Sequence, residues 1–157
     1  MTETIGTRPA LTPEIIELPA RPAAVVRIEG PVSEMPRMMG EAFDLTMKAI
    51  TASGASYAGH PFARYLAFGP QIEAEAGFPF SGTVTPTERV YVTELPGGRT
   101  VTTTHVGPYD AIGDAWERVQ AWMKEHDLES AAPPWEAYLT GPEDPGPPIT
   151  EIFFPIR

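Results

Sequence analysis

The sequence predicts a duplicated α+β domain. Two strand-helix-strand-strand units are expected to form a pseudo-two-fold antiparallel sheet with both helices on one face. Three observations carry this prediction. Residues 17–31 read ELPARPAAVVRIEGP and residues 94–108 read ELPGGRTVTTTHVGP, so Glu-Leu-Pro opens and Gly-Pro closes both stretches at one common spacing. Such self-similarity organises a chain before any local motif does. A helical pattern follows each Gly-Pro, and each half then ends in two short strand patterns: PFARYLAFG and EAGFP in the first, PWEAYLTGP and EIFFP in the second.

In chain order, residues 1–12 read as a flexible N-terminus and 13–157 as a single domain. Repeat one covers about 13–80, a linker 81–89, and repeat two about 90–157. Each repeat opens with strand patterns around Glu-Leu-Pro, arranged as a hairpin or an irregular segment. In the first helix Met35, Met39, Ala42, Thr46 and Ala49 trace one face. In the second, Ile112, Trp116, Val119 and Met123 do so, with Ala115 and Trp122 beside them. That spacing is the period of an amphipathic helix. Ser33 and Asp110 stand where N-caps would satisfy the first orphan amides. SGTVTPTER at 81–89 has the composition of a linker. One half alone would leave a sheet face and a helix stripe poorly covered, so the two halves are expected side by side.

Composition narrows the function. A hydrophobic fraction of 42% with 10% aromatics excludes wholesale disorder. No apolar run approaches the roughly 18 residues of a membrane span, and the polar start MTETIGTRPALTP lacks the regions of a signal peptide. Cytoplasmic residence is the expectation, with no membrane association. The absence of cysteine excludes disulfides, thiolate catalysis and cysteine-ligated metal. A formal net charge of -10 without a basic stripe argues against direct nucleic-acid binding.

No cofactor or metal is expected. His60, His105 and His126 lack ligand spacing. His105 lies in a strand pattern where repeat one has Ile28, which suits packing or a cross-strand contact better than catalysis. GPYDAIGDAW contains two glycines but no phosphate-loop pattern. No nucleophilic triad is legible, since triads are spatial. The Pro- and Gly-rich GPEDPGPP at 141–148 reads as a turn.

The candidate site centres on PPWEAYLTG, residues 133–141, where Glu136 interrupts an apolar and aromatic run. Alternation along a strand places Trp135, Ala137 and Leu139 on one face and Glu136, Tyr138 and Thr140 on the other. The apolar set is expected under the helices, leaving the polar set on the helix-free face. In repeat one Tyr65 aligns with Tyr138 and Ala63 with Glu136, so a tyrosine from each half could converge with a carboxylate from only one. Aromatic walls around one carboxylate suit a bulky cationic or polar-aromatic guest.

Taken together, THVGPYDAIGDAWERVQAWMKEHDL, WEAYLTGP and ITEIFFPI resemble the second half of a GyrI-like small-molecule-binding domain, the effector-binding module of AraC-type and MerR-type bacterial regulators. PFARYLAFG and EAEAGFPF fit its first half, so the resemblance covers about residues 13–157. It implies a ligand groove on the pseudo-symmetric sheet for lipophilic, often cationic, molecules, with the family's groove glutamate falling on Glu136. The accompanying aromatic positions are Tyr65, Tyr138, Tyr109, Phe68 and Trp116, the last of which the helix pattern assigns equally well to the core. No helix-turn-helix pattern stands beside the domain, which points to a stand-alone binding, sensing or sequestering role. Two alternatives accompany it. One is a metal-independent hydrolase of cyclopropanoid or other electrophilic toxins, with Glu136 as base and Tyr65 or Tyr138 stabilising the oxyanion. The other is a protein-interaction module of gyrase-inhibitor type with an unknown partner.

Overall fold

The computed structural model describes residues 12–141 and 143–157. The N-terminus expected to be flexible lies outside these residues, Thr12 excepted. The strands are β1 (Glu14–Leu18), β2 (Arg21–Pro31), β3 (Ser56–Tyr57), β4 (Phe62–Ala67), β5 (Gln71–Ser81), β6 (Val90–Leu95), β7 (Gly98–Val106), β8 (Trp135–Tyr138) and β9 (Ile149–Pro155). The helices are α1 (Met35–Ser53), between β2 and β3, and α2 (Gly113–Glu125), between β7 and β8. The fold is thus α+β with antiparallel strand pairing and two helices, as the sequence predicts.

The chain forms two compact units. One is Pro19–Gly97, with strand order β4-β5-β2-β6, β3 on β5, and α1 packed on β2 and β5. The other joins Glu14–Leu18 to Gly98–Arg157, with strand order β8-β9-β7-β1 and α2 packed on β7.

The opening strand of each sequence repeat therefore completes the sheet of the other repeat. β1 pairs with β7 and β6 pairs with β2, instead of either folding back as a hairpin arm. The register is equivalent in both: Leu18 lies opposite Gly98, and Leu95 lies opposite Arg21. Proline explains why no hairpin forms. A two-residue hairpin turn needs positive φ at its first central residue, and Pro19 and Pro96 occupy that place with φ locked near -65°. The strand leaving each Glu-Leu-Pro must seek a partner elsewhere.

The predicted face of α1 is buried at Met35, Met39, Ala42, Thr46 and Ala49; on α2 Ala115, Val119 and Met123 are buried, and Ile112, Trp116 and Trp122 are partly buried against them. Buried Thr46 spends its hydroxyl on the Ala42 carbonyl at 2.9 Å. The expected caps do not form. A 3-10 turn precedes each helix, at Val32–Glu34 and Tyr109–Ala111, so the N-cap positions of α1 and α2 fall on Glu34 and Ile112, without side-chain capping bonds. Ser33 and Asp110 sit inside those turns. The Ile112 carbonyl accepts from the amides of Ala115 at 3.0 Å and Trp116 at 3.2 Å.

The faces of β8 are the reverse of those expected. Glu136 lies opposite Ile152, and Ile152 packs in one core cluster with Ala115, Val119 and Met123 of α2. Glu136 and Tyr138 thus share the helix side, while Trp135 points away and stacks on Phe153 with centroids 5.2 Å apart. The polar-out rule assumes one solvated face. β8 has none at this point, since Trp135 and Glu136 are both buried.

In the first unit a polar network ties β4, β5 and β6 together. Arg64 donates to Glu75 Oε1 from Nε at 3.0 Å and Nη2 at 2.6 Å, and reaches the Glu94 carbonyl at 3.0 Å. The Tyr91 hydroxyl donates to Glu75 Oε2 at 2.5 Å. Burial, and then the hydrogen bond and charge of Glu75, push the Tyr91 phenol well above its usual range.

Two outcomes follow for stability. A Cβ on Gly77 would lie 1.8 Å from the Ala24 carbonyl oxygen, whereas one on Gly40 meets nothing within 4 Å. Urea unfolding should show Gly77→Ala losing about 3 kcal/mol through backbone overpacking and Gly40→Ala, in a helix interior, gaining about 0.5–1 kcal/mol. The unfolded chain releases the Tyr91 proton before the folded one. The stability held by the neutral phenol is therefore complete below about pH 10 and is lost as pH rises beyond it. Melting temperatures between about pH 8 and 11 should fall more steeply in the wild type than in Tyr91→Phe.

Candidate functional site

The second unit gathers Glu136 and three aromatic donors at the N-terminal end of α2. β8 is fixed by antiparallel pairing with β9, which sets Glu136 opposite Ile152 and Tyr138 opposite Thr150. After β7, Gly107 takes a φ of 135°, open to glycine and strained for other residues, and donates its amide to the Pro148 carbonyl at 2.9 Å. Pro108 then starts the 3-10 turn that carries Tyr109, and Trp116 follows in the first turn of α2.

The Glu136 carboxylate is 2% exposed. Its Oε1 accepts from the Tyr109 hydroxyl at 2.6 Å and the Tyr138 hydroxyl at 2.8 Å. Its Oε2 accepts from the Trp116 indole Nε1–H at 2.5 Å. The two tyrosine rings meet edge to face at 5.8 Å, and their hydroxyls lie 3.4 Å apart. Trp116 does double duty: its ring packs edge-on against Phe154 at 5.2 Å while its N–H serves the carboxylate. Tyr109 is 39% exposed, so the carboxylate sits beneath an aromatic surface that solutes can reach. Hydrogen bonds that a carboxylate accepts are shorter and stronger than those between neutral groups.

Of the residues singled out in the sequence, Glu136, Tyr138, Tyr109 and Trp116 come together. Tyr65 and Phe68 belong to the first unit, where their rings meet edge to face at 5.5 Å. Tyr65 is buried, and Phe68, at 69% exposure, projects into solvent. Among the described residues no group of three His, Cys, Asp or Glu is placed to hold a metal ion, and no helix is long and apolar enough to cross a membrane.

Repeat one holds a different set at the equivalent places. Counting from each Gly-Pro, Val32 stands for Tyr109 and Met39 for Trp116, and aligning Tyr65 with Tyr138 sets Ala63 at the place of Glu136. The carboxylate and two of its donors are thus replaced together by apolar residues in a unit that folds the same way.

Comparison with known proteins agrees with this architecture. The GyrI-like small molecule binding domain family matches residues 11–157, and the chain belongs to it. No curated protein sequence matches significantly. Among solved structures the chain is similar to EcmrR in a DNA complex (TM-score 0.81, 19% identity, 93% of this chain and 57% of that one). The EcmrR C-terminal domain alone is similar at TM-score 0.76 and 19% identity, with 93% of this chain and 97% of that one covered. The chain therefore spans little more than half of the EcmrR chain in the complex. A hydrolase from Listeria innocua is similar at TM-score 0.63 and 17% identity, covering 95% of this chain and 93% of that one. SAV2435 bound to tetraphenylphosphonium is similar at TM-score 0.60 and 11% identity, covering 93% and 94%. At these identities the likeness is one of fold.

Trp116→Phe removes the indole donor and keeps a ring against Phe154. Loss of a hydrogen bond to a buried carboxylate should cost about 2 kcal/mol in urea unfolding. The variant should also lose the indole N–H signal that moves when Glu136 is changed to Gln in ¹⁵N-resolved NMR.

Proposed function

We propose that this GyrI-like domain binds amphipathic small molecules that carry positive charge. Glu136 is the charged anchor, and Tyr109, Tyr138 and Trp116 are the aromatic surface around it. The domain then serves as a cytoplasmic sensor or sequestering protein. The observation that carries this reading is the Glu136 carboxylate, 2% exposed and held by three aromatic side chains. A negative charge in a low-dielectric site acts on a nearby cation far more strongly than one in water. Aromatic faces add attraction for delocalised cations. The acidic chain, at net charge -10, favours approach of such ligands. SAV2435, which shares the fold, is seen with the lipophilic cation tetraphenylphosphonium.

Two ions of one shape and opposite charge make the test. Tetraphenylphosphonium should raise the melting temperature in a concentration-dependent way, and tetraphenylborate should not. Glu136→Gln, which keeps the shape of the side chain, should weaken binding of the cation at least about tenfold. Equal shifts with both ions, or undiminished affinity in Glu136→Gln, would remove the charged anchor from the proposal.

A further inference from the structure

We infer that His105 is a positioning residue of the Glu136 site: it fixes the turn that delivers the Tyr109 hydroxyl to the carboxylate. His105 lies on β7 opposite Thr150, and Thr150 lies opposite Tyr138, so the three form one row across β7, β9 and β8. Its Nε2 stands 2.8 Å from the Pro108 carbonyl oxygen. A carbonyl only accepts, so Nε2 carries the proton and donates it.

The 3-10 turn Tyr109–Ala111 has three residues and no side-chain cap, and its N-cap is Pro108, which has no N–H. Its Pro108 carbonyl is also the acceptor for the Ala111 amide at 3.1 Å. The imidazole therefore acts on the atom from which the turn hangs, one residue before Tyr109. The other anchor is the Gly107 amide on Pro148. Between them these two bonds set the direction in which the chain enters Tyr109.

The comparison of repeats supports a role beyond packing. At the place of His105, repeat one has Ile28 in a buried strand, with Val32, Met39 and Ala63 at the places of Tyr109, Trp116 and Glu136. The donor on the strand is absent from the unit where the carboxylate and its tyrosine are absent, although the Gly-Pro turn is present in both. The fold tolerates an aliphatic residue there, so the His105 donor is not required for the strand itself.

This inference rests on the binding reading above for its effect on affinity, but the placement of Tyr109 can be read without ligand. His105→Gln supplies an amide donor that reaches about as far as Nε2, His105→Asn supplies one that falls short, and His105→Ile installs the residue of repeat one. In two-dimensional NMR of the free protein, the Tyr109–Tyr138 ring cross-peaks should persist in the wild type and His105→Gln, and weaken or vanish in His105→Asn and His105→Ile. Titration with tetraphenylphosphonium should give affinity near wild type for His105→Gln and roughly three- to tenfold weaker binding for the other two. Cross-peaks of equal strength in all four proteins would overturn the positioning role. If the wild type binds no tetraphenylphosphonium while the cross-peaks still follow the donor, the positioning role stands and the binding reading falls. Should His105→Ile fail to fold, His105→Asn against His105→Gln decides the matter.

Discussion

A carboxylate taken out of water must be met by donors, and that requirement organises the second unit. Leaving Glu136 buried without hydrogen bonds would cost several kcal/mol. The chain supplies them from three places: the neighbouring position on β8, the turn after β7, and the first turn of α2. Each donor fixes its element against the others. Tyr109 can reach only if the strand breaks at Gly107 and Pro108, and Trp116 only if α2 begins where it does. The 3-10 turn ahead of the helix is common to both units, whereas the positive φ at Gly107 has no counterpart at Gly30.

Repeat one shows that the fold does not need this arrangement. Its strands, 3-10 turn and helix follow the same order, and its opening strand is exchanged in the same register, yet Val32, Met39 and Ala63 replace the polar set. A helix–sheet contact filled with aliphatic residues is the cheaper solution, since removing a buried charge in favour of packed apolar groups is commonly neutral or stabilising. The second unit keeps the buried carboxylate instead. Buried polar groups kept against such an alternative are the ones for which a use outside folding is the natural explanation.

The duplication was legible because Glu-Leu-Pro and Gly-Pro recur at a fixed spacing, and both helix faces were legible from their period. What the sequence concealed was partnership. Nothing in ELP distinguishes a hairpin arm from a strand lent to the other repeat until Pro19 and Pro96 are weighed against the positive φ a tight turn demands. The cap residues were misplaced for a related reason: Ser33 and Asp110 follow Pro31 and Pro108 closely enough to be taken into a 3-10 turn. Glu136 and Tyr138 were correctly grouped by alternation, but alternation fixes only which residues share a face. It cannot say which face meets the helix when both are buried, and Trp135 made the wrong face look like the core. Trp116 illustrates the limit of periodicity further, since one indole packs on Phe154 with its ring and serves Glu136 with its N–H.

His105 was passed over because a lone histidine in a strand carries no spacing signal. Its relation to the site runs through a backbone carbonyl, which no pattern of side chains encodes. A signal was nevertheless present in the comparison of repeats: among the positions where the second repeat departs from apolar residues are 105, 109, 116 and 136. Those four lie on β7, the 3-10 turn, α2 and β8, and the fold brings Tyr109, Trp116 and Glu136 into contact. A duplicated chain carries its own reference state, in which the copy without the function shows which residues the fold requires. Read that way, polarity that appears in only one copy and converges in space is evidence about a site even where no single residue is.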